Sequence, residues 1–400
     1  MPALAAQLAA LREHAAASSC SPERTIAALR GMAARLADPA DALSAALRRE
    51  LHAATGLTLP MIEWGLSTSL ASLQRAELEA LVQPLPAAPN RELIGVVLAG
   101  NVFVAALRAL CLPLLAGAHV IAKAASREDA FPRAIARALA DADAEVGARL
   151  AVLQFSREDA ASTRALCQAV DALSIYGDDD AVRALGALTR PGSRVLAHGH
   201  GISAAYVSAS QLTAADDAGR AAAALALDVA AYDQHGCLSP QFVWVEAGSA
   251  VTPHAFAELL AREALPAVQR LLPAAEPTLA ERAARLQWQA SAAVRGEVYA
   301  TPEHVVSYEA ELPPRPSPGG RLIAVHSCAG APALHAALAP FADHLKLVGV
   351  AATREERAQL REQLRAHGTA DACQLGEMQT PAFDALADGC AALAGLTPES

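Results

Sequence analysis

The stretch from Leu93 to Lys123, LIGVVLAGNVFVAALRALCLPLLAGAHVIAK, decides the fold. It begins with a short apolar run, Leu93 to Leu98, continues through a segment rich in alanine and leucine, and ends near a second apolar run, Ala118 to Ala122. Short continuous apolar runs are typical of buried strands, and a helical segment between two such runs is typical of a crossover between parallel strands. The stretch therefore predicts a strand, a helix and a second strand of one parallel sheet.

The same alternation continues toward the C-terminus and predicts two α/β lobes. In the first lobe the further predicted strands are Leu150–Phe155, Ala172–Tyr176, Val195–Ala197 and Ala204–Val207. A second lobe is predicted to begin near Leu212, with a helix from Ala214 to Ala231 and strands at Gln241–Glu246, Val305–Tyr308, Arg321–Val325 and Leu345–Val350. We expect boundaries at 91–211 for the first lobe, 212–375 for the second and 376–400 for a C-terminal segment.

Residues 1–90 have a helical pattern that closes in the proline-rich stretch Gln83–Asn90. Leu4, Leu8 and Leu11 recur at helical spacing, which predicts an amphipathic helix. The charged residues Arg12–His14 interrupt this apolar start before a signal peptide or a membrane span is complete. We therefore expect an N-terminal helical segment that packs on the first lobe, and no membrane span.

Composition narrows the class of function. With 400 residues, 53% hydrophobic residues and a net charge of −10, the chain can bury a large core but lacks the concentrated positive charge of a nucleic-acid groove. Its seven cysteines are scattered, with no CxxC pair, which argues against a disulfide framework or a zinc site and fits a reducing cytoplasm. Small molecules are the expected ligands.

Cys237 is the first candidate for chemistry. It lies between Gly236 and the Ser239-Pro240 turn, just before a predicted strand, a setting that exposes a side chain. The nearby His235 would favour the thiolate, which is the nucleophilic form of cysteine. The alternative is an ordinary cysteine that packs as a small apolar residue.

Two further candidates follow the first two strands. Asn101 lies at a strand-to-helix junction, where its amide would donate to an oxyanion or simply cap the helix. Lys123 ends the second strand, where it would reach the ribose or phosphate of a ligand or remain a solvated strand end.

Two glycine-containing turns complete the candidate set. Gly177 precedes three aspartates that suit a helix N-terminus but would repel a pyrophosphate, and no GxGxxG motif follows the first strand. In the segment His198–Gly201 the glycines Gly199 and Gly201 permit close backbone approach. Its two histidines have no evident third ligand, so we expect no metal.

Taken in order, these segments resemble the aldehyde dehydrogenase superfamily and, within it, the acyl-CoA reductase (LuxC) family that supplies fatty aldehydes. The N-terminal TGLTLPMIEWGL matches more loosely, and the resemblance extends to Asp388-Gly389. The segments that carry it are GNVFVAALRALCLPLLAGAHVIAKAASREDAFP (100–132), DALSIYGDDDAV (171–182), HGHGISAAYV (198–207), DVAAYDQHGCLSPQ (228–241) and LGEMQTPAFDALADG (375–389).

The resemblance implies an aldehyde-dehydrogenase-like α/β fold, with a Rossmann-like NAD(P)-binding domain at 91–211 and a catalytic domain at 212–375. By similarity Cys237 is the nucleophile, Asn101 holds the oxyanion, Lys123 binds the cofactor ribose and Gly177 belongs to the cofactor loop. His235 is our candidate for tuning the thiolate or moving a proton.

One departure from the superfamily concerns hydrolysis. Hydrolytic members carry a glutamate before the glycine pair that aligns with Gly199 and Gly201, and this chain has His198 there. Because that glutamate activates water for deacylation, its absence suits an enzyme that passes the acyl group to hydride. Reduction is the expected direction.

Two further departures concern the cofactor. NAD-preferring relatives often place an acid after the ribose lysine, where this chain has Ser126 and Arg127, so we expect NADPH, with NADH possible. Glu128 and Asp129 lie close enough in sequence to take the place of that acid beside the ribose, which would favour NADH instead. At Asp178 many relatives have a serine or threonine that contacts phosphate, so only the preceding glycine is assigned to the cofactor loop.

The sequence thus predicts an enzyme that uses NADPH to reduce an acyl-CoA to the aldehyde, and a fatty acyl-CoA is the expected substrate. The reaction would pass through an S-acyl-cysteine intermediate. The acyl donor would be a CoA or carrier thioester, and the resemblance implies a homo-oligomer. Alternatives are an acyl-phosphate reductase, a CoA-independent aldehyde dehydrogenase and a catalytically silent scaffold subunit. The set Asn101, Lys123 and Cys237 argues against the scaffold.

Overall fold

A computed structural model describes residues 2–397 apart from 19, 86–89, 311, 367–369 and 387–388. Part of the predicted boundary Gln83–Asn90 and Asp388 of the Asp388-Gly389 pair lie outside the described residues. The chain divides into two compact units. Unit 1 comprises Met1–His200 and Ala382–Ser400, and unit 2 comprises Gly201–Pro381.

Unit 1 contains a five-stranded parallel sheet of order β3-β2-β1-β4-β5. The strands are β1 (Leu93–Val97), β2 (His119–Lys123), β3 (Leu150–Leu153), β4 (Ala172–Tyr176) and β5 (Arg194–His198). The helices are α1 (Pro2–Ala17), α2 (Pro22–Ala37), α3 (Ala42–Thr55), α4 (Leu59–Ala71), α5 (Glu77–Val82), α6 (Ala105–Leu115), α7 (Ala130–Ala142), α8 (Ala144–Gly147), α9 (Ala160–Ala169) and α10 (Asp179–Gly186).

The central strand of this sheet is β1, which is buried over most of its length. The chain proceeds from β1 through β2 to β3 on one side and then returns to β4 and β5 on the other. The segments that leave β1 and β4 therefore diverge, which opens a crevice at the carboxyl ends of these two strands. The strand, helix and strand predicted from Leu93 to Lys123 are confirmed.

The predicted amphipathic helix at the N-terminus is also confirmed. Leu4 and Leu11 on α1 are 6% and 5% exposed and belong to the same apolar cluster as Leu93 of β1, and Leu8 packs against that cluster. Arg12 Nη1 donates to Asp171 Oδ2 at 2.6 Å. The helix is thus attached to the sheet by an apolar face and by one ion pair.

Unit 2 contains a seven-stranded sheet of order β12-β11-β6-β7-β10-β9-β8, in which β8 alone is antiparallel to its neighbour. The strands are β6 (Ile202–Val207), β7 (Pro240–Glu246), β8 (Glu297–Ala300), β9 (Val305–Tyr308), β10 (Leu322–Cys328), β11 (Leu345–Ala351) and β12 (Asp371–Gln374). The helices are α11 (Ala215–Ala230), α12 (Pro253–Leu259), α13 (Leu265–Leu271), α14 (Leu279–Arg295), α15 (Ala331–Leu338) and α16 (Arg354–Ala366).

The sheet assignment of one predicted strand was wrong. The run Ala204–Val207 follows the strands of the first lobe in sequence, but β6 pairs with β7 and β11 in the sheet of unit 2. Alternation along the chain predicts that a strand exists, whereas its partners depend on contacts that lie far away in sequence. The predicted domain boundaries remain a prediction.

A buried carboxylate joins α16 to β12. Asp371 is 5% exposed and accepts hydrogen bonds from Arg361 Nε at 2.6 Å and Arg365 Nη2 at 2.7 Å. Burial by itself would raise the pKa of Asp371, but the hydrogen bonds from the two guanidinium groups lower it to about 2. This cluster attaches α16 to β12, which is an edge strand of the sheet.

Asp371→Asn should lower the free energy of unfolding by about 2 kcal/mol at pH 7, because it leaves two arginines beside a neutral amide. The folded-state pKa lies below the unfolded value, so the stabilisation is complete above about pH 4 and is lost as the pH falls toward 2. Urea denaturation at pH 7 measures the difference. Glu362→Gln, at an exposed position of α16, is the control. Equal stability of the two variants at pH 7 would contradict the assignment.

Candidate active site

The residues predicted in the first lobe lie at one edge of the unit 1 sheet. Asn101 follows β1, Lys123 ends β2, Gly177 follows β4 and Gly199 follows β5, while Ser126 lies three residues beyond β2. Because all five strands are parallel, their carboxyl ends meet at this edge, where open α/β sheets bind ligands. The fold thus brings these five positions to a common edge.

Asn101 is exposed and does not cap the following helix, because the N-cap residue of α6 is Val104. The interpretation of Asn101 as that helix cap is therefore wrong. The preceding Gly100 explains how the loop is packed, since a Cβ atom there would lie 2.8 Å from Ala125 Cβ. The loop after β1 thus passes close to the segment after β2.

Lys123 is half-buried, and its Nζ lies 5.2 Å from the centroid of the Phe155 ring. Burial lowers the pKa of Lys123, and the charge of Arg157 lowers it further. This cation–π contact holds the Lys123 ammonium more firmly than it would be held if the side chain were fully solvated.

Beyond β2 the chain turns into α7. Ser126 is exposed, whereas Glu128 is 3% exposed and its Oε1 accepts a hydrogen bond from Phe131 N at 2.9 Å. Asp129 Oδ2 accepts from Arg133 Nε at 2.9 Å. The two carboxylates that would compete for a ribose are therefore engaged with the first turns of α7.

The acidic turn after β4 caps α10, as its composition predicted. Asp178 is the N-cap residue, and its Oδ1 accepts a hydrogen bond from Ala181 N at 2.7 Å. Asp179 Oδ1 accepts from His200 N at 3.2 Å, and a Cβ atom on Gly199 would lie 2.6 Å from that oxygen. Carboxylates thus occupy the helix end where a pyrophosphate would otherwise be attracted.

His198, the residue before Gly199, pairs with Tyr176 across β4 and β5. The two rings are stacked, with centroids 4.2 Å apart and an interplanar angle of 17°. The position thus holds an aromatic pair at the carboxyl edge of the sheet.

In unit 2, Cys237 precedes β7 and Gly201 precedes β6, so both lie at the amino edge of the second sheet. Cys237 is exposed, and its carbonyl oxygen accepts a hydrogen bond from Ser203 Oγ at 2.7 Å. Cys390 is the other exposed cysteine. Burial raises the thiol pKa of the remaining five, Cys20, Cys111, Cys167, Cys328 and Cys373.

The backbone just before Cys237 is strained. Tyr232, Asp233 and Gln234 have φ angles of 53°, 49° and 63°, in the left-handed region that non-glycine residues rarely adopt. Such a conformation costs on the order of 1–3 kcal/mol per residue and persists only where the surroundings enforce it. Strain of this kind is concentrated at functional sites.

Buried side-chain contacts hold this turn. Gln234 Nε2 donates to Pro240 O at 2.7 Å and to Leu322 O at 2.9 Å, and its Oε1 accepts from Leu322 N at 2.8 Å. Asp233 Oδ1 accepts from Arg321 Nε at 2.8 Å, and Arg321 is 1% exposed. Sequence reasoning missed Asp233, Gln234 and Arg321, since no local pattern connects a turn to a strand 88 residues away.

His235, two residues before Cys237, is exposed, and its Nε2 lies 3.1 Å from Glu281 Oε1 near the start of α14. Its Cδ2 lies 3.2 Å from the point where a Cβ atom on Gly319 would stand. The predicted role of His235 in tuning the thiol remains a prediction.

The described residues contain neither a metal-binding cluster nor a membrane-spanning helix. No group of three or more His, Cys, Asp or Glu side chains in these parts of the chain could hold a metal ion. No helix within the same ranges is long and apolar enough to cross a membrane.

The family model for acyl-CoA reductase (LuxC) matches residues 86–398, which include both sheets and Cys237. The chain belongs to this family. As a LuxC-family protein it is an oxidoreductase and an aldehyde-forming acyl reductase. No curated protein sequence matches the chain significantly.

Solved structures show the aldehyde dehydrogenase fold for this LuxC-family chain and confirm the expected fold class. An aldehyde dehydrogenase from Burkholderia cenocepacia has a TM-score of 0.74 at 16% identity, over 99% of this chain and 90% of that one. The P. syringae indole-3-acetaldehyde dehydrogenase AldA has a TM-score of 0.71 at 16% identity, over 93% and 81%. The glyceraldehyde-3-phosphate dehydrogenase GapN from Methanocaldococcus jannaschii has a TM-score of 0.67 at 9% identity, over 94% and 86%.

Asp233→Asn tests whether the buried ion pair holds the turn of this LuxC-family protein. Asparagine tolerates the left-handed conformation, so the substitution removes the charge and leaves Arg321 buried without an ionised partner. We expect the free energy of unfolding to fall by about 3 kcal/mol. Asp217→Asn, which breaks the exposed ion pair with Arg220, should cost less than about 1 kcal/mol. Urea denaturation that gave the same small change for both variants would exclude the proposed role.

Proposed function

We propose that this LuxC-family protein reduces acyl thioesters to aldehydes and that Cys237 carries the acyl group. The proposed substrate is a fatty acyl-CoA. The observation that carries the proposal is the setting of Cys237. It is an exposed cysteine that follows a strained turn anchored by buried hydrogen bonds, while five of the other cysteines have thiol pKa values raised by burial.

In the proposed reaction the Cys237 thiolate attacks the carbonyl carbon of the acyl-CoA. The new sulfur–carbon bond forms as the carbonyl electron pair moves to oxygen, and collapse of this adduct expels the CoA thiolate. Asn101 would donate to the transient oxyanion. An S-acyl-cysteine then remains on the enzyme.

A nicotinamide cofactor, when bound, supplies the hydride that reduces the acyl carbon. The strand order of unit 1 suits such a ligand: Lys123 and Ser126 would hold its ribose, and the main chain at Gly177 and Gly199 would approach it closely. The acids at the start of α10 do not fit a pyrophosphate, so we assign that helix end no phosphate. After reduction the hemithioacetal on Cys237 collapses, which releases the aldehyde and regenerates the thiolate.

His198 supports reduction over hydrolysis. A hydrolytic aldehyde dehydrogenase needs a carboxylate that deprotonates water, and this position holds a histidine stacked on Tyr176. The S-acyl-cysteine is therefore left for hydride transfer. Gly201, the last member of the predicted cofactor set, remains a proposed backbone contact.

The choice of cofactor is proposed to be NADPH, with NADH possible. The exposed Ser126 leaves room for a 2′-phosphate, and Glu128 and Asp129 are held by α7. The fold neighbours AldA and GapN were solved in complex with NAD⁺ and with NADP, respectively, so this fold accommodates either cofactor.

The expected setting of the protein is also a proposal. We propose that residues 91–211 bind the cofactor, that residues 212–375 carry the catalytic thiol, and that the chain forms a homo-oligomer. Seven free cysteines suit a reducing compartment, which supports a cytoplasmic location.

Cys237→Ala should abolish both the covalent acyl adduct and aldehyde formation, because only a thiolate can form the proposed thioester. Intact-protein mass spectrometry after incubation with acyl-CoA and no cofactor measures the adduct. Cys390→Ala, at the other exposed cysteine, should leave the adduct unchanged.

Other outcomes of this experiment identify the alternatives. An adduct from acyl phosphate alone would indicate an acyl-phosphate reductase, and turnover of free aldehyde alone would indicate a CoA-independent aldehyde dehydrogenase. The absence of any adduct from the wild-type protein would favour a silent scaffold. Substantial activity of Cys237→Ala would refute the proposed nucleophile.

Ser126→Glu tests the cofactor assignment. A carboxylate at this position would repel a 2′-phosphate and shift the NADPH/NADH ratio of kcat/KM toward NADH by about 1 to 3 kcal/mol. Ser67→Glu, at an exposed position of α4, is the matched control and should leave the ratio unchanged. A wild-type preference strongly in favour of NADH would show that the placement of Ser126 is wrong.

A further inference from the structure

Lys346 lies at the amino edge of the unit 2 sheet, the edge at which Cys237 also lies. Lys346 is half-buried at the start of β11, where the pairing with β6 changes register: Leu345 pairs with Ile202, and Leu347 pairs with Ser203. Lys346 is therefore the extra residue of a β-bulge. Bulges redirect side chains and are frequent next to active sites.

The surroundings of Gly201 show where the Lys346 side chain runs. A Cβ atom placed on Gly201 would lie 2.5 Å from Lys346 Cγ, 2.7 Å from Lys346 Cε and 3.0 Å from Cys237 Cβ. All three atoms thus lie within 3.0 Å of a single point, the position of that Cβ atom. The Lys346 and Cys237 side chains are therefore close to each other. The missing side chain of Gly201 creates the space in which the lysine passes alongside the cysteine.

The composition of the chain makes this lysine unusual. The 32 basic residues consist of thirty arginines and only two lysines, Lys123 and Lys346. One is the predicted cofactor lysine and the other lies next to the predicted nucleophile. Lysine differs from arginine in having a compact, point-like charge on a narrow, flexible stem, which suits a confined position over a glycine.

We propose that Lys346 is the electrostatic partner of Cys237 and favours its thiolate form. This inference rests on the proposed role of Cys237 as nucleophile. The Cys237 proton passes to solvent, Lys346 keeps its own protons, and the ammonium balances the charge of the thiolate. Two further titratable groups lie on this side of the turn: His235, two residues before Cys237, and Glu281, whose Oε1 lies 3.1 Å from His235 Nε2.

The test measures the pH dependence of Cys237 alkylation by iodoacetamide, in a Cys390→Ala background, by intact-protein mass spectrometry. Removing the positive charge of the side chain that runs beside Cys237 should raise the midpoint by about one pH unit for Lys346→Met, so that alkylation below both midpoints slows about tenfold. Lys346→Arg keeps the positive charge and should recover part of this loss, because the bulkier guanidinium fits the confined position over Gly201 less well. A purely structural role for Lys346 would not move the midpoint.

The control is Arg354→Met, which removes an exposed positive charge at the start of α16, beyond the opposite end of β11. We expect no change in its midpoint. His235→Gln should move the midpoint less than Lys346→Met does. The salt dependence of the wild-type protein adds a measurement that needs no variant: higher ionic strength should raise the midpoint, because it screens the ammonium.

An unchanged midpoint in folded Lys346→Met would overturn the inference, as would a larger shift in His235→Gln. If Lys346→Met does not fold, a wild-type midpoint that is insensitive to salt would overturn it instead. These outcomes are separate from the acyl adduct of the wild-type protein. A missing adduct contradicts the proposed function, whereas an adduct together with an unchanged midpoint contradicts only the role of Lys346.

Discussion

The second unit depends on the hydrogen bonds of the Gln234 side chain. This amide joins the left-handed turn to the first residue of β7 and to the first residue of β10, so one side chain sets where two neighbouring strands begin. The buried pair of Asp233 and Arg321 stabilises the same turn from its other side. With the backbone held in this way, Cys237 can remain exposed three residues before a buried strand.

Parallel strand order explains the placement of the remaining candidate residues. In the unit 1 sheet the neighbouring strands β1, β2 and β4 are parallel, so the residues at or after their ends, Asn101, Lys123 and Gly177, lie at the same carboxyl edge. At the amino edge of the unit 2 sheet the same principle places Gly201 and Cys237 side by side, and the bulge at the start of β11 adds a cation. Residues that are 76 positions apart in sequence, Asn101 and Gly177, therefore share the first edge, and residues 109 positions apart, Cys237 and Lys346, share the second.

The sequence predicted those features whose causes are local. Apolar runs and turn residues located the strand, helix and strand from Leu93 to Lys123, and ordered motifs identified the family. Alternation could not place β6, whose partners lie in the later part of the chain, and it missed the short edge strands β8 and β12. Lys346 was missed for a related reason: its relevance depends on a register shift and on the space above a glycine 145 positions earlier.

The division of the chain has a consequence for biosynthesis. Unit 1 is completed by residues after Pro381: Asn90 Nδ2 donates to Leu396 O at 3.0 Å, Arg194 Nε donates to Gly395 O at 3.1 Å, and Arg108 Nη2 donates to Phe383 O at 3.2 Å. A ribosome therefore releases all of unit 2 before the last pieces of unit 1 emerge. The unit that is translated first therefore acquires its full set of contacts only after unit 2 has been synthesised.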